Sequence, residues 1–463
     1  MDTIWPPDLV NTSGPKYSVL VQSMRAAIRS GHLPKGQKMP PVRELAWELG
    51  ITPGTVARAY KIATEEGLVE TAVGRGTFVA DHHGPHVPEL AEPLVNAPRP
   101  GLLDFRAARV PELGQSAAIR DAMARLAGQE RAYFDYPNSQ TDRAAREEVV
   151  RWIGPDRAGR LEADDIVLGL GAQNTVMMVL QTCLQGPSPV ILTEALAYPG
   201  VRHAARLLRA QLIGVEMDGE GMRPDRLEEA LRVHGGQVLL ISPHSHSPTT
   251  ARMGLERRQR IADIARRYQL QVIEDDCHCI NRPELPAFRA ICPERAWFVA
   301  SLTKTVSPAL RFGYAACPRE HAATARQVAQ SSFYGMPQPI LDICTDLMAS
   351  GEAERLRARV EAVTSERIRL AVNVLGQWDI TWRADVPFLW LKLPQGWRGS
   401  TFAMACESEG IRIKPADEFA LPDGAAPHAV RITVNAIHDS DTLEAALGRM
   451  SALLARPPLN VDL

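Results

Sequence analysis

A lysine set among hydroxyl groups at the end of an apolar run is a place where covalent chemistry can begin. In Ser301-Leu302-Thr303-Lys304-Thr305-Val306-Ser307-Pro308-Ala309-Leu310-Arg311-Phe312-Gly313-Tyr314, one lysine and one arginine follow the strand-like Trp297-Phe298-Val299. A lysine desolvated beside other cations loses its proton and becomes a nucleophile toward an aldehyde, while Arg311 and Ser301, with Thr303, suit a phosphate. The acidic run Glu274-Asp275-Asp276 ends the apolar Val272-Ile273, so a buried carboxylate stands where it can hold a pyridinium nitrogen. Gly169-Leu170-Gly171-Ala172-Gln173-Asn174 also follows a strand-like run and opens a helix, whose first backbone N–H groups can bind phosphate. Taken together, the three runs describe a pocket for pyridoxal 5′-phosphate (PLP).

Such residues need a sheet to position them. Apolar runs at Ile166-Val167-Leu168, Val190-Ile191-Leu192, Gln237 to Ile241, Val272-Ile273 and Trp297-Phe298-Val299 alternate with helical stretches. That alternation predicts an α/β domain with a mostly parallel sheet, whose ligands gather at strand ends. Farther on, the helical stretch Glu352 to Leu375 leads into shorter segments such as Phe388-Leu389-Trp390-Leu391, which predicts a smaller C-terminal α+β subdomain over roughly 345–463.

The first part of the chain has another organisation. Val19, Leu20, Met24, Ala27 and Ile28 are spaced for an amphipathic helix over Tyr17–Ser30, and a second helix spans Pro41–Leu49. Thr52 then stands as N-cap before Pro53, and Val56, Ala59, Tyr60 and Ala63 mark the buried side of a third helix closed by Gly67. Two strand-like runs around Val73-Gly74-Arg75 add a hairpin, giving a winged helix-turn-helix. Its third helix would enter a major groove with Thr55, Arg58 and Lys61 on the polar face, and Thr52 stands at its start. Arg43, and Arg75 with Gly76 in the wing, are further phosphate or groove candidates. Residues 16–80 carry nine Lys/Arg against five Asp/Glu, within a chain whose formal net charge is −2. This is the piece suited to a polyanion. After it, Pro85, Pro88, Pro93, Pro98 and Pro100 make a semi-stiff linker, so the expected domains are 1–80, the linker 81–103, and 104–463.

Composition excludes several classes. With 463 residues, 45% hydrophobic and 23% charged, the chain can bury a sizeable core and is too apolar to be disordered. Its seven cysteines, at 183, 277, 279, 292, 317, 344 and 406, are an odd number scattered through a large chain, which predicts reduced thiols. No run approaches the roughly 18 apolar residues of a membrane helix, and the opening MDTIWPPDLVNTSGPK lacks a signal-peptide pattern. A cytoplasmic location is expected.

Two resemblances carry these readings further. Gly31-His32-Leu33-Pro34, Met39-Pro40, Arg43, Leu45-Ala46, Leu49-Gly50-Ile51, Thr55-Val56, Arg58-Ala59-Tyr60 and Gly76-Thr77-Phe78-Val79 closely resemble the GntR-type winged-helix DNA-binding domain. Residues 104–463 resemble a fold-type I, class I aminotransferase, and the whole chain resembles the MocR-like subfamily of GntR-type transcriptional regulators. By that resemblance Lys304 would form the covalent Schiff-base link to PLP, Asp275 would pair with the pyridine nitrogen, and Tyr198 in Glu194-Ala195-Leu196-Ala197-Tyr198-Pro199-Gly200 would lie against the ring. Gly171, Ala172, Gln173, Ser301 and Arg311 would hold the phosphate. Tyr136 would reach the phosphate of a partner subunit's cofactor, implying a homodimer, and Arg431 would take a substrate carboxylate.

The departures from that pattern are Cys277, where the family has tyrosine, and Ser247 in Ser247-Pro248-Thr249-Thr250, where it has asparagine. Both usual partners of the cofactor's 3′-oxygen are therefore weaker hydrogen-bonders, which puts fast transamination in doubt and leaves imine formation at Lys304 intact. His244, His246, Cys277, His278 and Cys279 are of zinc-ligand type, but Cys-x-Cys falls outside the usual spacing. His244 and His246 lining an effector pocket fit better, and no metal is expected. The sequence thus predicts a PLP-dependent regulator that binds double-stranded operator DNA and senses an amine or amino acid by imine exchange at Lys304. The alternative is an active aminotransferase with an accessory DNA-binding domain.

Overall fold

The apolar stripe of the first helix closes a small core of its own. In the computed structural model, which describes residues 16–34, 36–65, 68–72, 76–80, 101–130, 133–421, 426–437 and 439–456, the chain divides into two units, Met1–Asn96 and Ala97–Leu463. In the first unit, α1 (Lys16–Ser30), α2 (Val42–Glu48) and α3 (Pro53–Glu65) precede the antiparallel pair β1 (Val69–Ala72) and β2 (Gly76–Val79). Leu20, Met24, Leu45, Val56, Ala59 and Ala63 are fully buried between them. Each large side chain among them contributes about 1.5–3 kcal/mol of hydrophobic stabilisation. The Tyr60 hydroxyl, at the edge of this core, donates to the Pro40 carbonyl at 2.7 Å and ties α3 to the segment before α2. The wing's turn at 73–75, with Arg75, and residues 81–100 of the linker lie outside the described residues.

The second unit opens with β3 (Leu103–Asp104) and then builds a seven-stranded sheet from β4 (Ile166–Leu170), β5 (Val190–Glu194), β6 (Gln211–Val215), β7 (Val238–Ile241), β8 (Gln271–Asp275), β9 (Ala296–Ser301) and β10 (Phe312–Ala316). The order is β4-β10-β9-β8-β7-β5-β6. All pairs are parallel except those of β10, which runs antiparallel to both β9 and β4. Because the run Phe312 to Ala316 is buried throughout, it shows none of the alternation that marks a half-exposed strand. Gly313 in it lies against the backbone of Gly171, where any Cβ would collide, so the close approach requires glycine. Helix α4 (Ala172–Cys183) follows β4, and α5 (Pro199–Leu207) follows β5.

Beyond the long helix α6 (Glu352–Leu375), the strands β11 (Ile380–Thr381), β12 (Phe388–Lys392), β13 (Ile411–Arg412), β14 (Lys414–Pro415) and β15 (Ala429–Thr433) and the helix α7 (Ser440–Leu454) form the smaller subdomain. Four of its strands make an antiparallel sheet in the order β11-β12-β15-β14. The fifth, β13, pairs in parallel with β3, so Leu103, at the end of the expected linker, and Asp104 join the C-terminal subdomain. Phe105 is fully buried in that subdomain's core, which fastens the segment after β3 to it.

Candidate functional site

The C-terminal ends of β4, β8 and β9 bring the three chemical runs together. At the first, Gly171 caps α4 with a φ of 80°, a left-handed conformation that suits glycine. A Cβ there would collide with the Arg311 guanidinium, which crosses the glycine and donates from Nη2 to the Leu170 carbonyl at 2.9 Å. Ala172 and Gln173 stand in the first turn of α4, where helix N–H groups have no partner within the helix. Ser301 caps the turn after β9 by accepting from the Thr303 N–H. The N–H groups of a helix start, one arginine and one hydroxyl form an anion cradle of the kind a phosphate fits.

Next to the cradle, the Gln173 side chain donates to the Gly200 carbonyl at 2.9 Å, and Gly200 admits both that amide and the Tyr198 ring where a Cβ would strike them. Burial pushes the Tyr198 phenol up to about 12, with Asp275 adding to the effect. Asp275 ends β8, and its Oδ1 accepts from the Cys277 N–H at 3.0 Å. Burial pushes this carboxyl up, while the Cys277 hydrogen bonds and Lys304 pull it down. Burial and the Asp275 charge hold the Cys277 thiol well above its ordinary range, so it is a neutral thiol.

Lys304 stands in the turn after β9, where burial lowers its ammonium to about 8, with Arg431 the next cause and Arg109 and Arg311 adding. Its Nζ donates to the Ala108 carbonyl. Arg431, on β15, is buried with its guanidinium between the rings of Phe388 and Phe419, 5.2 and 4.9 Å from their centroids. It donates from Nη1 to Ser247 Oγ at 2.7 Å and from Nη2 to the Arg106 carbonyl. Burial lowers it to about 10. The structure thus places Ser247 on Arg431.

The histidines divide. His246 has both ring nitrogens engaged, Nδ1 with Thr249 Oγ1 at 2.7 Å and Nε2 with the Leu196 carbonyl at 2.9 Å, and burial lowers it to about 4. It fixes the wall. His244 pairs Nε2 with Asn281 Oδ1 at 3.3 Å, and burial, then Arg252, lower it to about 2. Its Nδ1 is buried without a partner, and so is Nδ1 of His278, whose ring stands edge-on to Phe388 at 5.2 Å. Burial, then Lys304 and Arg431, push His278 well down, so it faces the site as a neutral imidazole.

Sequence reasoning grouped His278 with the other histidines as a metal or pocket-wall candidate without choosing it as a site residue, and passed over Glu194. Glu194 ends β5 as Asp275 ends β8, and burial raises it to about 8. The signal was the same, an acid closing an apolar strand. Among the described residues no cluster of three or more His, Cys, Asp or Glu is arranged for a metal ion.

Tyr136 is exposed and its ring lies 5.5 Å from that of Tyr334. The loop that carries it is anchored by the buried Arg146, which donates to the Ser139 carbonyl at 2.6 Å and to Asp142 at 2.9 Å.

In the first unit, Thr52 Oγ1 accepts from the Thr55 N–H at 3.3 Å and lies 2.9 Å from the Thr55 hydroxyl, which closes the start of α3. Arg58 and Lys61 are exposed on α3, and Arg43 is exposed at the start of α2. Gly76 opens β2 with a φ of 116°, and the Lys38 side chain lies across it. Lys38 is a further cation of the wing that sequence reasoning left out.

Comparison with known proteins agrees with both halves. The family of class I and II aminotransferases matches residues 107–450, and the gntR family of bacterial regulatory proteins matches residues 16–79. The HTH-type transcriptional regulator YdeF of Bacillus subtilis is 27% identical over 459 residues, covering 97% of this chain and 96% of its own. The vitamin B6 salvage pathway transcriptional repressor PtsJ of Salmonella typhimurium is 25% identical over 434 residues, covering 92% and 96%. Among solved structures, the α-aminoadipate aminotransferase LysN of Thermus thermophilus, complexed with N-(5′-phosphopyridoxyl)-L-leucine, superposes with a TM-score of 0.67 at 23% identity, covering 77% of this chain and 92% of that one.

Proposed function

This chain belongs to the class I and II aminotransferase family and carries a gntR-family regulatory domain ahead of it, the MocR-like arrangement, and from that premise we propose that it is a PLP-dependent transcriptional regulator that senses an amine bearing a carboxylate or a similar anion. The observation that carries the reading is Lys304, an amine lowered to about 8 within one pocket with Asp275 and Arg431. The residues present fit the cofactor. The cradle of Gly171, Ala172, Gln173, Ser301, Thr303 and Arg311 would take its phosphate, Asp275 would hold the proton on its ring nitrogen, and Tyr198 would lie against its ring. When bound, PLP supplies an aldehyde that links reversibly to primary amines.

The chain's own residues do the rest. Near its lowered pKa, Lys304 presents enough neutral amine to attack a carbonyl and can yield its place to an incoming amine. Arg431, held between two rings, offers a planar fork to a carboxylate, which would have to displace Ser247 Oγ and the Arg106 carbonyl. Cys277 and Ser247 offer only weak or diverted hydrogen bonds, and this pairing favours capture of an amine over rapid turnover.

Those contacts also supply a means of signalling. The Arg106 and Ala108 carbonyls, acceptors for Arg431 and Lys304, belong to one short segment, and the same segment bonds β15 through the Phe105 and Ala107 carbonyls on Thr433 Oγ1. An amine and a carboxylate that engage Lys304 and Arg431 withdraw two donors from the stretch that follows the linker in the chain. That differential contact can bias one arrangement over another. The exposed rings of Phe134, Tyr136 and Tyr334 favour a second copy of the chain as their cover, with Tyr136 serving the partner's phosphate site. DNA binding fits a cytoplasmic location, and among the described residues no helix is long and apolar enough to cross a membrane.

The test is borohydride reduction of the protein incubated with PLP, followed by peptide mapping, and DNA-binding titration across a panel of amines. The expected adduct is on Lys304, absent from Lys304→Ala, and at least one carboxylate-bearing amine shifts DNA affinity in the wild type only. An adduct on another lysine, or affinity indifferent to PLP and every amine, overturns the reading.

A further inference from the structure

Arg58 on the exposed face of α3 does not stand free as a flexible side chain. Its guanidinium carbon lies 4.1 Å from the centroid of the Tyr17 ring, a cation–π contact across the α1–α3 packing. We infer that Tyr17 is a positioning residue that holds Arg58 for contact with DNA, an inference that rests on the reading of this unit as DNA-binding.

The geometry supports the role in three steps. Tyr17 stands in the first turn of α1, one helical turn before the buried Leu20 and on the same stripe as Met24, so it ends the apolar seam against α3 and is itself half-buried. Its backbone is therefore fixed by core packing. On the other helix, Arg58 directly precedes the fully buried Ala59 and is exposed, and no salt bridge to it exists among the described residues. A guanidinium held over a ring spends little of its hydrogen-bonding capacity there, and its N–H groups stay available to phosphate oxygens or a base. A long side chain fixed before binding loses less rotamer freedom on the DNA. A similar pairing recurs at the wing, where the Lys38 ammonium lies 6.0 Å from the centroid of the Phe78 ring.

The side-chain type follows from these demands. Leucine at position 17 would close the seam equally well but has no ring to hold a cation, whereas phenylalanine keeps the ring and loses only the hydroxyl.

The experiment uses the full chain and a duplex enriched from a random library by the wild-type protein. Affinity is measured by fluorescence anisotropy for the wild type, Tyr17→Leu, Tyr17→Phe, Arg58→Ala and the double variant Tyr17→Leu/Arg58→Ala. Tyr17→Leu is expected to weaken binding by about two- to fivefold. Tyr17→Phe should stay within about twofold of wild type, and Tyr17→Leu should add nothing once Arg58 is alanine. A merely structural Tyr17 would lower affinity in both backgrounds alike, and that additive result overturns the inference. So does Tyr17→Phe binding as weakly as Tyr17→Leu. Should Tyr17→Leu lose helical circular dichroism, Tyr17→Met takes its place in the cycle with the same expectations. Failure of the wild type to enrich any duplex would instead defeat the DNA-binding reading, and this inference with it.

Discussion

The DNA-facing unit and the pocket of the large unit solve opposite electrostatic problems. Arg43, Arg58 and Lys61 are exposed to water, where a cation costs little and a polyanion can find it from a distance. Lys304, Arg431 and the pocket histidines are withdrawn from water, where burial lowers the lysine to about 8 and the arginine to about 10. In the proposed function the surface residues act through their charge, whereas the pocket acts through partial loss of charge, because the proposed nucleophile, Lys304, reacts as the neutral amine. The comparison teaches that equal residue types do unequal work according to solvation, and that a substitution should cost most where a buried group leaves partners behind.

Arg431→Ala therefore carries the largest expected effect. It removes the donor from Ser247 Oγ and from the Arg106 carbonyl and leaves any buried effector carboxylate unpaired. Affinity for a carboxylate-bearing amine should fall by about 2–5 kcal/mol, measured by calorimetry on PLP-loaded protein. An amine without an anion should lose far less; equal losses for both would mean Arg431 is structural. Arg58→Ala is expected to be milder, about 1–3 kcal/mol in DNA affinity with no change in the cofactor spectrum. If the exposed arginine proved the costlier of the two in its own assay, the contrast between solvated and buried cations would not hold.

How far the sequence could be read follows the same divide. In the DNA-facing unit the signals are local: Thr52 before Pro53, the stripe of Val56, Ala59 and Ala63, and the paired strands all lie within a few turns of one another. The large unit shows its strands through apolar runs, and an acid or a lysine at a strand end marks the site. What stays hidden depends on residues distant in the chain. The antiparallel β10 has no alternation to show, and Gly313 makes sense only against Gly171. The engagement of His246 by Thr249 and Leu196, and the burial of Phe105 in the core of the C-terminal subdomain, come from topology. Tyr17 over Arg58 was equally invisible, since the stripe of α1 explains an aromatic there without it.

The smallest expected effect is a titration, and it links the two kinds of cation within one pocket. Covalent capture of PLP needs the unprotonated Lys304 amine, so at fixed PLP the rate of adduct formation should rise with pH through a midpoint near 8, rather than near the ordinary lysine value of 10.5. The sign follows from the causes: burial and the neighbouring positive Arg431 both disfavour the ammonium, so the neutral form is reached at lower pH. With that midpoint the reactive fraction grows by about tenfold between pH 7 and pH 9 and little beyond, given one proton lost per amine. Removing a positive neighbour restores part of the ammonium's stability. Arg431→Met, which keeps an apolar filling between the two rings, should consequently move the midpoint upward. A midpoint unmoved by Arg431→Met would remove Arg431 from the causes and leave the depression to burial, with Arg109 and Arg311. A wild-type midpoint near 10.5 would place Lys304 in a solvated setting and remove the difference between pocket and surface cations on which the comparison rests.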